Sequence, residues 1–147
     1  MNAKKVLFPT DFSHLGDEGL EHAASLARDR DAELMIVHVE EPPMAYGGGE
    51  MYYGIPEPDR AELRRMLQAV VPKDSKVRCE HRLVMGDPAE EIVRLADEEH
   101  VELIVMATHG RSGLTRMLMG SVAEAVVRRA KCPVLTLKAP AATAAGK

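Results

Sequence analysis

Aromatic residues and cysteines are scarce in this chain of 147 residues, which has no tryptophan and an aromatic share of 3%. Aliphatic side chains must therefore fill the core, and large aromatic stacking surfaces are rare. The two cysteines, Cys79 and Cys132, have no second thiol or histidine at the spacing of zinc ligands. The sequence thus indicates neither a disulfide framework nor a structural zinc site, and it favours a reducing, cytoplasmic location.

An excess of positive charge and a long apolar run are also absent. Nineteen Lys and Arg against 23 Asp and Glu give a net charge of -4, which disfavours a nucleic-acid partner held by phosphate attraction. No apolar run is long enough to span a bilayer, and the N-terminus reaches Pro9 after only three apolar residues. We therefore expect no membrane partner and no signal peptide.

Two familiar nucleotide-binding motifs are missing as well. The sequence contains neither GxxxxGK(S/T) nor GxGxxG, so neither a P-loop ATPase nor a Rossmann dehydrogenase is supported. A small anion held by local backbone dipoles remains compatible with the composition.

What the sequence does contain is a regular alternation of strand-like runs and amphipathic helices. In four segments apolar residues recur at spacings of three and four, which is the pattern of one helix face. The helical positions are Leu20, Ala23, Ala24 and Ala27; Leu63, Met66, Leu67 and Val70; Ala89, Ile92, Val93 and Ala96; and Met119, Val122, Ala123 and Val126. The predicted strands are Val6–Phe8, Leu34–Val39, Lys76–Val84, Leu103–Met106 and Val134–Leu137.

The polarity of the strands predicts their order in a sheet. Helices between successive strands mean βαβ units, which build a parallel sheet covered on both faces. The first, second and fourth strands are continuous apolar runs, as in the middle of such a sheet, whereas the third alternates with polar residues, as at an edge. We therefore predict a doubly wound α/β domain, an open sheet of five parallel strands in the order 3-2-1-4-5 with helices on both faces. A ligand is expected at the carboxyl ends of the first and fourth strands.

Two unusual loops, PTDFS and ATHGRSG, follow these two strands. The second contains Gly110 and Gly113. Nine residues separate Gly110 from the pair Gly120-Ser121, which opens the last helix. Glycines let the backbone approach a ligand closely, and the unpaired N–H groups of a helix start favour an anion. The segment has the pattern of a two-part phosphate cradle. Ordinary turns and an N-cap at Ser121 would give the same residues.

The motifs together resemble the universal stress protein family. The resemblance rests on ATHGRSGLTRMLMGSVAEAVVRRAKCPVL, with VLFPTDFS near the start, IVHV at the end of the second strand and GDPAEEI before the third helix, and it runs from about Lys5 to Leu137. It implies a five-stranded fold like that of the adenine nucleotide alpha hydrolases, a homodimer and, in one branch, an ATP site. The ATP motif of that branch begins with a glycine that is Ala107 here.

By this resemblance, Asp11 and Val39 face the ribose and the adenine, and Pro9 and Thr10 shape the same loop. The expected ATP-binding residues are Pro9, Thr10, Asp11, Val39, Ala107, His109, Gly110, Arg111, Gly113, Gly120, Ser121 and Val122. Several have a structural alternative: Asp11 as a turn or N-cap residue, Val39 as core, and His109 and Arg111 as solvated loop residues. Ala107 adds one methyl group and is tolerable unless its position needs a positive φ.

The resulting hypothesis is an ATP-binding regulatory protein without catalytic residues and with at most slow hydrolysis, because no base, water-orienting group or set of transition-state cations stands out. Mg or Mn would be held mainly by the phosphates. The alternatives are a nucleotide-free dimeric interaction module and an enzyme such as a nucleotide-transferring ligase. We expect a homodimer through the last strand, Val134–Leu137, and a protein partner whose identity stays open.

Four smaller expectations complete the prediction. Residues 1–138 form the domain, and residues 139–147 form a disordered tail. The segment Glu40–Asp59 holds all three tyrosines and is either a surface excursion or a lid or interface. Glu90 and Glu91 are first-turn acids that favour the helix dipole rather than a catalytic pair. Cys132 is expected to be buried and inert.

Overall fold

The computed structural model describes residues 4–12, 17–42, 59–108 and 120–138, and these contain five strands and four helices. The strands are β1 (Lys5–Pro9), β2 (Glu33–Glu40), β3 (Cys79–Met85), β4 (Leu103–Ala107) and β5 (Val134–Leu137). The helices are α1 (Asp17–Asp29), α2 (Arg60–Gln68), α3 (Pro88–Glu98) and α4 (Ser121–Arg129). The predicted tail, 139–147, and nearly all of Glu40–Asp59 lie outside the described residues.

The strands form one parallel sheet in the order β3-β2-β1-β4-β5, which confirms the predicted order. Val6 of β1 lies opposite Leu34 of β2 on one side and Leu103 of β4 on the other. The direction in which strands are added reverses between β1 and β4. In open α/β sheets such a reversal places the ligand crevice at the carboxyl ends of the two strands concerned, here β1 and β4.

Two apolar clusters cover the two faces of the sheet, because successive strand residues point to opposite sides. Val6 and Phe8 belong to one cluster, and Leu7 belongs to the other. The α1–α2 cluster also contains Leu20, Ala23, Ala24, Ala27, Ala32, Leu34, Ile36, Leu67, Val77, Leu103 and Val105. The α3–α4 cluster also contains Met35, Val37, Ala89, Ile92, Leu95, Ala96, Val101, Ile104, Met106, Ala123 and Val126. Helices thus lie on both faces, as predicted.

The helix periodicity was correct for α1 and partly wrong for α2. Leu63 and Leu67 are buried, but Met66 is 37% exposed and Val70 lies beyond the helix end at Gln68. The physical reason is that α2 is short and packs over the edge of the sheet, against β2 and β3. Leu63 and Leu67, four residues apart, are enough to cover this edge, and Met66 is left partly exposed to solvent.

The start of α3 shows why the two glutamates of GDPAEEI do not need a catalytic role. The Asp87 side chain caps the helix by accepting a hydrogen bond from the Glu90 N–H at 3.0 Å, and Pro88 occupies the first turn. Glu90 and Glu91 lie in the same turn, where the helix dipole stabilises negative charge. The prediction of first-turn acids is confirmed.

Neither cysteine forms a disulfide. Cys132 is only partly buried, so the expectation of a buried residue was too strong: it borders the α3–α4 cluster in the short connection before β5. Burial is still sufficient to raise the pKa of both the Cys79 and the Cys132 thiols, which disfavours the reactive thiolate. Of the helices described, none combines the length and the apolar character that crossing a membrane requires.

Candidate functional site

The predicted site residues that the structure describes lie at the carboxyl edge of the sheet or at the start of α4. Pro9 ends β1 and Ala107 ends β4, while Val39 is the penultimate residue of β2. The described members of the predicted set are Pro9, Thr10, Asp11, Val39, Ala107, Gly120, Ser121 and Val122. His109, Gly110, Arg111 and Gly113 lie outside the described residues.

On the β1 side of the crevice, a short turn of Thr10, Asp11 and Phe12 is tied to the end of β2. We call these three residues the β1 turn. The Thr10 N–H donates to the Val37 carbonyl at 2.8 Å, which continues the β1–β2 ladder by one residue. The Phe12 N–H donates to the Thr10 hydroxyl oxygen at 3.0 Å. Phe12 has a φ of 69°, a left-handed conformation that local contacts must compensate.

The side chain of His38 supplies a further contact to the β1 turn. Its Nδ1 lies 2.8 Å from the Thr10 carbonyl oxygen, and because a carbonyl only accepts, Nδ1 carries the proton and donates. Its ring also lies against the ring of Phe12, with centroids 4.3 Å apart. Sequence analysis missed this residue. The available signal was a polar side chain in the otherwise apolar end of β2, within the quoted IVHV.

The structure removes one alternative for Asp11. An N-cap is followed directly by a residue with helical dihedrals, whereas Phe12 has a positive φ. Asp11 therefore does not cap a helix that starts at Phe12. It is a half-buried residue in the middle of the β1 turn, beside the crevice.

On the β4 side, the main chain of Thr108 connects three elements. Its N–H donates to the Leu137 carbonyl at the end of β5 at 2.9 Å, and its carbonyl accepts from the Gly120 N–H at 2.5 Å. Thr108 is 4% exposed, the one buried polar residue among the residues described. These bonds hold the start of α4 against the end of β4, on either side of 109–119. Sequence analysis also missed Thr108, although a hydroxyl residue directly after an apolar strand was a usable signal.

Gly120, and not Ser121, is the N-cap of α4. Gly120 has extended dihedrals, φ −70° and ψ 164°, and its carbonyl accepts from the Glu124 N–H at 2.9 Å. Ser121 is the first helical residue and its side chain is exposed, so the N-cap alternative for Ser121 is wrong. The first N–H groups of the helix have no partner within it, and together with the helix dipole they favour an anion at this end.

Val39 and Val122 lie on the same face of the sheet. Both are partly buried and pack against the edge of the α3–α4 cluster. Neither is completely enclosed in the core. The alternative interpretation of Val39 as a core residue is therefore only partly correct. Each leaves apolar surface at the carboxyl edge, the kind of surface against which a flat apolar ring can pack.

Ala107 occupies an ordinary strand position. It pairs with Leu137 in the β4–β5 register, and among the described non-glycine residues positive φ is confined to Phe12, Asp31 and His100. The methyl group of Ala107 is therefore compatible with its backbone. Glycine is not required there for conformational reasons.

A charged pair lies at the end of β2. Glu40 accepts a hydrogen bond from Arg60 at 2.6 Å, and only 17% of the Glu40 side chain is exposed. Since Arg60 is the first residue of α2, this pair joins the end of β2 to the start of α2, the elements on either side of residues 43–58. Across the described parts of the chain, no three His, Cys, Asp or Glu side chains form a group that could hold a metal ion.

Comparison with known proteins identifies relatives of this domain. The sequence profile of the universal stress protein family matches residues 2–138. A universal stress protein of Methanocaldococcus jannaschii is 35% identical over 142 residues, which cover 93% of this chain and 83% of the relative. The predicted family is thereby confirmed.

Two solved structures add ligands to the comparison. The universal stress protein of Archaeoglobus fulgidus, in complex with dAMP, is 27% identical with a TM-score of 0.69, and the match covers 92% of this chain and 98% of that one. A universal stress protein in complex with cAMP is 28% identical with a TM-score of 0.61, and the match covers 94% of this chain and 98% of that one. Both relatives are thus seen with an adenine nucleotide.

Proposed function

Because the chain belongs to the universal stress protein family, we propose that it binds ATP in the crevice between β1 and β4. In this proposal it acts as a nucleotide-dependent regulatory dimer of the stress response. The observation that carries the proposal is the bond from the Gly120 N–H to the Thr108 carbonyl, at 2.5 Å. It holds the positive end of α4 beside the carboxyl end of β4, where a phosphate would gain most from it.

The proposal gives the two sides of the crevice different parts of the nucleotide. The start of α4, with Gly120, Ser121 and Val122, receives the phosphates, together with Gly110 and Arg111 by resemblance. The β1 turn receives the ribose through Asp11, and the apolar surface of Val39 receives the adenine. This division is supported by chemistry, because N–H groups suit anionic oxygens and a carboxylate suits hydroxyl groups.

Regulation, in this proposal, comes from occupancy. Bound nucleotide fills the crevice and stabilises the conformation or dimer that a protein partner recognises in the cytoplasm. Mg or Mn would be held mainly by the phosphates. We expect slow turnover at most, because the sequence contains no recognisable set of a base and transition-state cations.

Calorimetry with Mg-ATP, preceded by mass spectrometry of nucleotides released from the purified protein, tests the proposal. We expect one ATP per chain and weaker binding of AMP, because AMP lacks the outer phosphates. A folded protein that binds no adenine nucleotide would contradict the proposal. It would favour a nucleotide-free dimeric interaction module instead.

The proposed dimer uses β5, which the structure supports as the terminal strand on its side of the sheet. Leu135, in the middle of β5, is 38% exposed. An apolar residue on an edge strand invites pairing with a second chain. We expect Leu135→Glu to convert the dimer into a monomer in sedimentation velocity. Val71→Glu is the matched control, since Val71 is an exposed apolar residue next to α2 and should leave the dimer intact.

A further inference from the structure

Hydrogen bonds help to hold the β1 turn, which borders a cavity. Thr10 and Phe12 line a cavity of about 290 Å³ on the α1–α2 face, together with Leu20 and Met66. A side chain that borders a cavity makes fewer van der Waals contacts than one in a filled core. Phe12 also has a left-handed φ of 69°, so other contacts must hold the turn in this conformation.

Of the contacts that hold the β1 turn, the one from His38 spans both ends of it. Its Nδ1 donates to the Thr10 carbonyl at 2.8 Å, and its ring lies against Phe12 at 4.3 Å between centroids. The residue between these two contacts is Asp11. The imidazole of His38 therefore contacts the β1 turn on both sides of Asp11.

His38 lies on the opposite face of the sheet from the apolar surface proposed for adenine. Phe12, its ring partner, packs against the α1–α2 cluster, whereas Val39, the next residue along β2, packs against the α3–α4 cluster. Successive strand residues point to opposite faces. The imidazole thus contacts the β1 turn from the α1–α2 face of the sheet. It does not occupy the α3–α4 face, where the adenine is proposed to pack.

We infer that His38 is a positioning residue for nucleotide binding, which fixes the β1 turn in the orientation that meets the nucleoside end of an adenine nucleotide. This inference rests on the proposed function. It adds a residue whose role is exerted through Thr10 and Phe12 and not by contact with the ligand.

The chain offers a matched control in His81. Its Nε2 donates to the Val70 carbonyl, also at 2.8 Å and also in a half-buried setting. His81 lies on the edge strand β3, opposite Ile36 of β2, and connects β3 to the chain just after α2. Removing this bond makes the same chemical change as at His38 without removing a hydrogen bond to the β1 turn.

The experiment compares His38→Leu, His38→Asn and His81→Leu by calorimetry with Mg-ATP. His38→Leu should weaken ATP binding about tenfold, the size expected for losing one positioned hydrogen bond. His38→Asn should bind within about twofold of the parent, because the amide nitrogen of Asn can occupy the position of Nδ1 and donate to the same carbonyl. His81→Leu should lower the thermal midpoint like His38→Leu but leave the affinity unchanged.

Hydrogen exchange without nucleotide provides a second readout. In His38→Leu the amides of Thr10 and Phe12 should exchange faster than in the parent, and His38→Asn should restore their protection. If the parent binds ATP and His38→Leu binds equally well, the inference is wrong and the proposed function stands. Equal losses of affinity in His38→Leu and His81→Leu would show a merely structural role. A parent without any affinity for adenine nucleotides would overturn the proposed function and the role of His38 with it.

Discussion

The two sides of the crevice are held together by different kinds of contact. On the β1 side, the His38 imidazole, the Thr10 hydroxyl and the Phe12 ring hold the turn that follows the strand. On the β4 side, two main-chain bonds join the elements: the Gly120 N–H donates to the Thr108 carbonyl, and the Thr108 N–H donates to the Leu137 carbonyl. Side chains add to the main-chain bond between Thr10 and Val37 on the β1 side, whereas main-chain bonds of Thr108 fix the start of α4 on the β4 side.

This difference determines which substitutions each side tolerates. A turn held by side chains changes its position when one of those side chains is replaced. A helix start held by main-chain bonds keeps its position, and a substitution there acts mainly through the volume or hydrogen-bonding groups it adds or removes. Variants on the β4 side should therefore alter nucleotide affinity without altering the fold.

The largest effect should come from Gly120→Val. Its φ of −70° and ψ of 164° are extended dihedrals that valine adopts without strain, so the fold should persist. The added side chain would occupy the volume proposed for the phosphates, and we expect calorimetry to detect no ATP binding. Gly120→Ala should give an intermediate affinity. A Gly120→Val protein with the parent's thermal midpoint and the parent's affinity would show that the start of α4 is only a turn and a cap.

A smaller effect is expected for Ser121→Ala. Since Gly120 is the N-cap and the Ser121 side chain is exposed, the hydroxyl is not needed to cap the helix and is available to a phosphate. Its removal should cost one charge-assisted hydrogen bond of roughly 1.5–3 kcal/mol, or about ten- to a hundredfold in ATP affinity. The thermal midpoint without ligand should stay unchanged. A drop in that midpoint with unchanged affinity would contradict the assignment.

The amino end of the sheet provides a contrast to both sides of the crevice. Glu99, after α3, accepts hydrogen bonds from Lys5 of β1 at 2.5 Å and from Arg82 of β3 at 3.0 Å. The bonds from Lys5 and then Arg82 hold the pKa of Glu99 below its usual 4.5. Because the folded pKa is lowered, the stabilisation is complete above this usual value and is lost as the pH falls through the lowered pKa.

Glu99→Gln should therefore lower the thermal midpoint at pH 7 and reduce its further fall in acid, while leaving ATP affinity unchanged. For a pair near the surface the loss is about 1 kcal/mol, or roughly 2–4 °C in a domain of this size. Thermal scans from pH 7 to pH 3 measure it. Asp74→Asn is the control, because the Asp74 pair with Arg28 is more exposed and should contribute less. If Glu99→Gln also bound ATP more weakly, the amino end of the sheet would affect nucleotide binding as well as stability, contrary to this prediction.

The smallest effect should come from Ala107→Gly, which restores the first glycine of the family's ATP motif. Ala107 pairs with Leu137 as an ordinary strand residue and does not have a positive φ. Glycine would add freedom without a conformational need, so we expect ATP affinity within about twofold of the parent. A large gain in affinity by calorimetry would mean that the methyl group itself obstructs the ligand.

Much of the fold and part of the site were predictable from local pattern. The continuous apolar runs of Leu34–Val39 and Leu103–Met106, set against the polar alternation of β3, were sufficient to predict the strand order. The residues after β1 and β4 were recognisable as site candidates because their strands are neighbours in that order. The pattern was less successful at the sheet edge, where Met66 is exposed and Val70 follows the helix.

The order of elements and the two-sided core follow from periodicities of two and of three to four residues in the sequence. Only the tertiary structure decided that His38 supports the β1 turn, that Thr108 joins α4 to β4 and β5, and that Gly120 caps α4 instead of Ser121. The physical reason is that each depends on hydrogen-bond geometry in the assembled fold. His38 and Thr10 are 28 residues apart, and Thr108, which follows β4, is joined to Gly120 and to Leu137 at the end of β5.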